Sequence, residues 1–360
     1  MNDSTYMKQA LALAQMGNGH VTPNPMVGAV IVKNSLVIGE GFHKKYGGPH
    51  AEIEALSSCS DSPDGATMYV TLEPCCHTKK QTPPCVGALI RAGLKKVVIS
   101  SLDPNPLVCG KGVEELRRNG LIVEHGILET EENRLNERYR KFITTGLPFI
   151  HLKIAQTLDG KMAAADSSSK WITCEASRKT VHEWRGRYGA VAVGAETLRT
   201  DDPSLTIRHG LQDHYLQPWR VIIAGSRPLP PESKCFRDEF ASKTIVLVPE
   251  GLAQHELGVK VITVPAFEGK ILLNTAIKIL GELKIQSLLV EGGPTLHSSF
   301  IKAKLVDKIS FFVAPKILGL GAPSVGDIGI SNISKALTLR EVSTEISGED
   351  FIFSGYPQMP

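Results

Sequence analysis

The sequence predicts an α/β protein of two domains. Two successive runs of alternating strand and helix patterns predict it, with Gly146-Leu147-Pro148 as the break between them. The length of 360 residues agrees, since a domain averages roughly 150 residues. The expected domains are 1–146 and 147–360.

The first run opens with an amphipathic helix over about 4–16, which reads as part of the fold and not as a signal peptide. MVGAVIV (26–32) and LVIGEGF (36–42) predict a hairpin. A helix is expected from His50 to about Ser58, then the strand TMYVTL (67–72), ending at Glu73-Pro74. Pro83-Pro84 is expected to open a helix to Ala92, because proline suits a helix's first turn. KKVVIS, a helix over 112–119, LIVEHG and one long polar helix over 129–145 complete the run. The second run passes through FIHLKIA, AVAVGAETL, PWRVIIAG, KTIVLVP, VKVITV, a helix at 273–283, QSLLVEGG, a helix from Pro294, and KISFFVAP. Residues 318–330 are glycine-rich and read as a loop.

Composition excludes several classes. Apolar residues are 42% of the chain and charged residues 21%, which is a globular balance. No apolar run approaches the ~18 residues of a membrane span. Forty basic and 37 acidic residues give a net charge of +3, divided evenly between the halves, so bulk charge favours no nucleic-acid partner. Of seven cysteines, Cys75, Cys76 and Cys85 fall within eleven residues. A disulfide framework would spread them, so the cluster predicts metal ligation in a reducing compartment, hence a cytoplasmic location.

The sharpest constellation joins His50-Ala51-Glu52, Pro74-Cys75 and Cys85. Three N/S ligands with one open position is the pattern of a catalytic zinc site. Helix starts at His50 and Cys85 would favour thiolate. Glu52, two residues from the ligand histidine, can reach a water beside the metal without ligating it. It would take the proton of that water and deliver it to the ring nitrogen and then to the leaving amine. Nucleobase deaminases use this arrangement, although their second cysteine usually follows the first by three residues, whereas here it follows by ten. A closed clip with Cys76 or His77 as fourth ligand is the bland alternative, and it leaves Glu52 without a role. His20, His43 and His125 carry no spacing argument and read as surface or packing residues. Asn24, between two prolines, serves equally as a turn residue or as an amide aimed at a substrate ring.

TPNPMVGAVIV, GFHKKYGGPHAEIEAL, YVTLEPCCHTKKQTPPC and VVISSLDPNPLVCGKGVEELRRNGLIVEHGI resemble the deaminase half of the bifunctional RibD family of riboflavin biosynthesis. The resemblance implies a cytidine-deaminase-like three-layer domain. The loop ending in TPPC separates this family from most other members of the superfamily. Here Cys76 and Lys-Gln replace the family's usual Ser and Gly-Arg in that loop. Lys79 and Lys80 read as solvated charges or as phosphate contacts.

The second half shows LKIAQTLDGKMAAADSSSKWIT, GAETLRTDDPSLTIR, and SLLVEGGPTL, a strand that meets a helix through two glycines. That last piece suits a phosphate, since glycines allow close backbone approach and a helix start offers free N–H groups. Together the three resemble the reductase half of the same family, which implies a dihydrofolate-reductase-like fold using NADPH. By that resemblance Ala155, Trp171, Thr197, Asp201, Ser226 and the stretch Gly293, Pro294, Thr295, Leu296, His297, Ser298 and Ser299 are candidates for NADPH contact. Ser169, Arg185, Leu205, Arg208 and Glu291 are candidates for substrate contact. Arg185 and Arg208 suit a phosphate. Ser226-Arg227 would meet the 2′-phosphate that marks NADPH. Lys153 and Asp201 are the candidates for managing protons near the substrate imine, or else a strand-end surface residue and a turn residue. Ser167 and Cys174 stand where the family usually has glycine.

The resemblance therefore implies zinc-dependent deamination followed by NADPH-dependent reduction of small phosphorylated pyrimidines. No membrane or nucleic-acid partner is expected, and a homo-oligomer is implied. The alternatives are a zinc deaminase of another base with an accessory domain, and a non-catalytic zinc-stabilised binding protein.

Overall fold

The computed structural model describes residues 2–76, 83–166, 168–252 and 257–358. His77, Lys79, Lys80 and Ser167 lie outside the described residues. Two compact units emerge, Met1–Gly146 and Leu147–Pro360. No helix among the described residues is long and apolar enough to cross a membrane.

The first unit is built on β1 (Gly28–Lys33), β2 (Leu36–Phe42), β3 (Thr67–Leu72), β4 (Lys96–Ser101) and β5 (Ile122–His125), in the order β2-β1-β3-β4-β5. β1 runs antiparallel to β2 and β3, while β3, β4 and β5 are parallel. Among the described residues, six helices accompany them: α1 (Asp3–Gln15), α2 (Ala51–Ser57), α3 (Cys85–Arg91), α4 (Lys111–Arg118), α5 (Glu129–Leu135) and α6 (Glu137–Thr145). Strand alternation separates two apolar faces. Val30 and Val32 pack with Tyr6, Met7 and Ala10 of α1. Ala29 and Ile31 face the other way, into a core shared with Ala51, Ala55, Val86, Leu89 and Leu116 from α2, α3 and α4. The result is a three-layer sandwich. Gly28 lets α1 close onto β1, because a Cβ there would stand 2.0 Å from the Ala10 carbonyl oxygen.

Two expectations are corrected here. Pro83 and Pro84 lie ahead of α3, which starts at Cys85 with Pro84 as its N-cap. The long helix over 129–145 is two helices, broken at Asn136, whose φ of −101° leaves the helical region. Its side chain is committed to the backbone of Met26 instead.

The second unit carries a nine-stranded sheet. Its elements in chain order are β6 (Phe149–Thr157), β7 (Lys161–Ala164), α7 (Glu175–Arg187), β8 (Ala190–Gly194), α8 (Ala195–Asp201), β9 (Trp219–Ile223), α9 (Lys234–Arg237), β10 (Thr244–Pro249), β11 (Lys260–Val264), β12 (Ala266–Phe267), β13 (Lys270–Ile271), α10 (Leu273–Glu282), β14 (Ser287–Val290), α11 (Pro294–Lys302), β15 (Lys308–Ala314), β16 (Gly321–Pro323), β17 (Thr338–Ser347) and β18 (Asp350–Gln358). The sheet order is β11-β10-β9-β8-β14-β6-β15-β18-β17. The strands from β11 to β15 are parallel and β18 and β17 add antiparallel. β14 lies between β6 and β8, so chain connections diverge there. Crevices at such points, beside the strands' C-terminal ends, are where open α/β sheets hold ligands.

Several elements escaped the sequence reading, among them α7, β16, β17 and β18. α7 is mostly polar, and only Val181 and Trp184 reach the small core around Phe312 and Ile352. β17 is exposed along most of its length, so it lacks an apolar rhythm, and pairing with β18 defines it. The glycine-rich stretch 318–330 contains β16, paired with β7.

Arg220 on β9 is fully buried and saturated. Its guanidinium donates to both oxygens of Asp238 (2.6 and 2.8 Å), to Thr244 Oγ1, and to the carbonyls of Ser204 and Cys235. It thereby ties the loop before Leu205 to the sheet. Removing one partner of such a pair strands a charge in the core, at a cost of about 3–5 kcal/mol. Asp238→Ala should destabilise the second unit by about 3 kcal/mol in urea unfolding, whereas an effect below about 1 kcal/mol would show that the pair is dispensable.

Candidate active sites

In the first unit, His50 caps α2, Cys75 follows the end of β3, and Cys85 opens α3. Their ligand atoms all lie within 4.8 Å of one another. His50 Nδ1 stands 3.5 Å from Cys75 Sγ and 3.3 Å from Cys85 Sγ. Zinc bonds of about 2.3 Å to sulfur and about 2.0 Å to nitrogen in a tetrahedron set N–S edges of about 3.5 Å. The three groups therefore fit a zinc ion without rearrangement, with Nδ1 as the imidazole's ligand atom. Cys76 is not part of the cluster and packs at the margin of the core.

Glu52 is buried beside these groups. Burial, reinforced by the Cys75 charge, raises its pKa above the ordinary carboxylate range. Glu73, one residue before Pro74-Cys75, is also buried. Its carboxylate accepts backbone N–H bonds from Asp103, Gly110, Gly112 and Val113, pinning the start of α4 to the strand end that delivers Cys75. Asn24 donates through Nδ2 to His43 Nε2 at 3.0 Å, and His43 Nδ1 donates to the Pro49 carbonyl at 2.8 Å. These bonds set the tautomer of His43 and the orientation of the Asn24 amide. The His43 ring packs edge-on against His50 at 5.3 Å. His43 is thus buried at the metal centre and is no surface residue. Its signal in the sequence was absent because the contact depends on how β2 faces α2.

In the second unit a cavity of about 760 Å3 opens at the C-terminal ends of β6, β8 and β14. Of the residues expected there, Lys153, Ala155, Ser169, Trp171, Arg185, Thr197, Asp201, Leu205, Arg208 and Glu291 line it. The volume falls in the ~300–1,000 Å3 range of ligand sites. Gly292 lets the chain pass beside it, since a Cβ there would stand 2.6 Å from the Leu296 side chain. Trp171 is no core residue. It is 64% exposed, with the Arg178 guanidinium 4.7 Å from the centre of its ring. Lys153 is enclosed rather than on the surface, and burial lowers its pKa. Asp201 ends α8, with Lys170 4.0 Å away.

Several assignments need correction. Arg185 is not a free phosphate binder. Its Nε and Nη2 hold both oxygens of Glu291 (2.7 and 2.9 Å), and Nη1 donates to the Thr206 carbonyl. Arg208 retains the exposed guanidinium. Ser226 is exposed and outside the cavity, and Arg227 pairs with Glu196. Within 293–299, Leu296, His297 and Ser298 turn into the core. The hydroxyls of Ser298 and Ser299 donate to carbonyls one turn back, and His297 Nδ1 bonds the Ser324 carbonyl. The backbone N–H groups of Gly293 and Thr295 and the exposed Thr295 hydroxyl are the donors left in this stretch for a phosphate. Cys174 occupies an extended φ of −69°, so the missing glycine there costs nothing in backbone strain.

Family profiles match both units. The profile described as the cytidine and deoxycytidylate deaminase zinc-binding region matches residues 1–101, and the RibD C-terminal domain matches 148–353. The riboflavin biosynthesis protein RibD of Aquifex aeolicus is 45% identical over 353 residues, covering 97% of each chain. The chain belongs to the RibD family. Acinetobacter baumannii RibD superposes with a TM-score of 0.88 at 37% identity, covering 99% of each chain. The Thermotoga maritima diaminohydroxyphosphoribosylaminopyrimidine deaminase/5-amino-6-(5-phosphoribosylamino)uracil reductase does so with 0.86 at 38%, again over 99% of each. This RibD-family chain is a bifunctional enzyme of riboflavin biosynthesis, with zinc and NADPH as its cofactors.

His182 of α7, unremarked in the sequence, also lines the RibD-family reductase cavity and is buried. Its Nδ1 accepts the Arg208 backbone N–H at 3.1 Å, so the neutral ring carries its proton on Nε2. Burial, then the charges of Arg185 and Arg208, push its pKa down to about 3. Between the ordinary value of about 6.5 and that depressed value, the unfolded chain binds a proton that the folded one refuses. This histidine's contribution to stability is therefore present above about pH 6.5 and falls as pH drops towards 3. His182→Gln should flatten the pH dependence of urea unfolding between pH 6.5 and 4. An unchanged slope would mean that the ring is already protonated.

Proposed function

We propose that the first unit performs hydrolytic deamination of 2,5-diamino-6-ribosylamino-4(3H)-pyrimidinone 5′-phosphate. The second unit then reduces the ribosyl group of the product, 5-amino-6-(5-phosphoribosylamino)uracil, to ribityl. The observation that carries this reading is the His50–Cys75–Cys85 cluster beside buried Glu52, in one chain with a cavity built around the Arg185–Glu291 pair.

His50, Cys75 and Cys85 would hold the zinc, which when bound makes water nucleophilic near neutral pH. Glu52 accepts the proton of the attacking water, passes it to the ring nitrogen, and later protonates the departing amine. Asn24, with its amide held by His43, presents Oδ1 to the amino-pyrimidine ring.

NADPH would lie along Ala155, Trp171, Thr197, Asp201 and the backbone of Gly293–Thr295, and when bound it supplies the hydride. Arg208 takes the substrate phosphate, with Ser169 and Leu205 beside it. Glu291 faces the sugar and pyrimidine, its charge balanced by Arg185 so that it can stay ionised in a buried place. The ring-opened sugar is an imine at C1′. As C1′ gains the hydride, its nitrogen must gain a proton, and Lys153, with its proton affinity lowered by burial, is placed to give it. Asp201 is the second candidate for that task.

Mass spectrometry of products from the pyrimidinone phosphate, without and then with NADPH, tests the reading. An amino group should give way to oxygen without NADPH, and two hydrogens should be added once it is supplied. Glu52→Ala should lower deamination by about 10²–10⁴-fold with zinc still bound, while reduction of supplied intermediate continues. Deamination at the full rate in that variant would remove Glu52 from the mechanism. Arg208→Ala should raise the reductase KM about tenfold or more with little change in kcat, the mark of lost ground-state binding. An unchanged KM would place the phosphate elsewhere.

A further inference from the structure

Asn136 stands at the break between α5 and α6 and is 2% exposed. Its carboxamide spans one residue 110 positions earlier. Oδ1 accepts the Met26 N–H at 2.8 Å, and Nδ2 donates to the Met26 carbonyl at 2.8 Å. The second hydrogen of Nδ2 goes to Glu132 Oε1 at 2.7 Å. Glu132 is itself fully buried and held by Arg140 Nη1 at 3.3 Å. Every hydrogen of this amide is therefore used, and Glu132 dictates which end of it faces which backbone group.

Met26 ends the loop Pro23-Asn24-Pro25 that carries Asn24 into the metal site. Beyond it the chain enters β1, whose first amide, Gly28 N–H, donates to Thr71 Oγ1 at 3.1 Å. The loop is thus anchored at Met26 by a side chain and not by a strand. At its other end Asn24 meets His43, which packs on His50. A chain of hydrogen bonds runs from Arg140 through Glu132 and Asn136 to Met26, which is two residues along the backbone from Asn24.

We infer that Asn136, oriented by Glu132, is a positioning residue for deamination: it fixes the Met26 backbone and through it the place of Asn24 against the substrate. This inference rests on the proposed role of Asn24. It also accounts for the helix break, because a continuous helix through residue 136 would have no reason to turn this side chain onto Met26.

The test is a double-mutant cycle on the full-length chain, with zinc content measured and the reductase reaction as an internal control in the same molecule. Asn24→Ala should lower deaminase kcat/KM, and Asn136→Ala should lower it about tenfold or more, since two buried backbone groups lose their partners. Zinc content and the reductase constants should not move. On the Asn24→Ala background, Asn136→Ala should be nearly silent, because the two residues act through one contact. Asn136→Asp, of the same shape but with an oxygen against the Met26 carbonyl, should reproduce the selective loss. It serves as the test if the alanine variant does not fold. Additive effects of either variant with Asn24→Ala, or loss of zinc as the cause of lost activity, would overturn the inference. If Asn24→Ala leaves deamination unchanged, the assignment of Asn24 fails, and the positioning role fails with it. If Asn24→Ala is damaging and both Asn136 variants are not, the positioning role alone is wrong.

Discussion

A charged group taken out of water must find its partners within the chain, and both sites of this protein are shaped by that constraint. In the second unit the constraint is met by the Arg185–Glu291 pair, whose two side chains are each only 10% exposed. The pair keeps a carboxylate ionised in the cavity, and its net neutrality leaves other cations of the lining, Arg208 among them, to face a ligand. The same pair sets the surroundings of Lys153, whose proton affinity reflects burial first, then Glu291 and Arg185. In the first unit Glu73 meets the constraint through four backbone N–H groups, and Glu132 meets it through Asn136 and Arg140. Each of these carboxylates lies away from the reacting atoms and ties a loop that leads to them.

The two units solve one problem with different sheets. In each, the chemistry stands where parallel strands end. Cys75 leaves the end of β3, and Glu291 leaves the end of β14. Most side chains within the strands are spoken for by the cores, Lys153 and Ala155 of β6 being exceptions, whereas the residues just past the strands are free to converge. His50 and Cys85 reach the metal centre from helix starts for the same reason. Rigid strands supply the precision, and the short loops after them supply the variety of side chains.

Much of this was legible in the residues. Strand and helix periodicity marked most elements, and the spacing of His50, Glu52, Cys75 and Cys85 carried its chemistry openly, because metal ligation requires particular side chains in number and kind. Among the elements that escaped, α7 and β17 have a thin apolar pattern. α7 touches the core through few residues, and β17 through almost none. The helix over 129–145 looked continuous because nothing in its composition signals a break; the cause, Met26, lies 110 residues away. Trp171, singled out by resemblance for cofactor contact, does line the cavity and stands exposed, a placement that its size and composition alone would not signal.

The sequence by itself pointed to the two-domain α/β plan, to the His50–Cys75–Cys85 cluster with Glu52 beside it, and to many of the residues that line the second cavity. The first two follow from local periodicity and from side-chain chemistry, which a linear string records, and the third from resemblance to the RibD family. Tertiary structure alone decided that Arg185 neutralises Glu291 while Arg208 stays open. It also decided that His43 and His182 are held as neutral rings at their sites, and that the hydroxyls of Ser298 and Ser299 are spent on their own helix. Those outcomes depend on which groups are left to pair once water is excluded, and pairing across long sequence separations is set by packing, not by spacing along the chain.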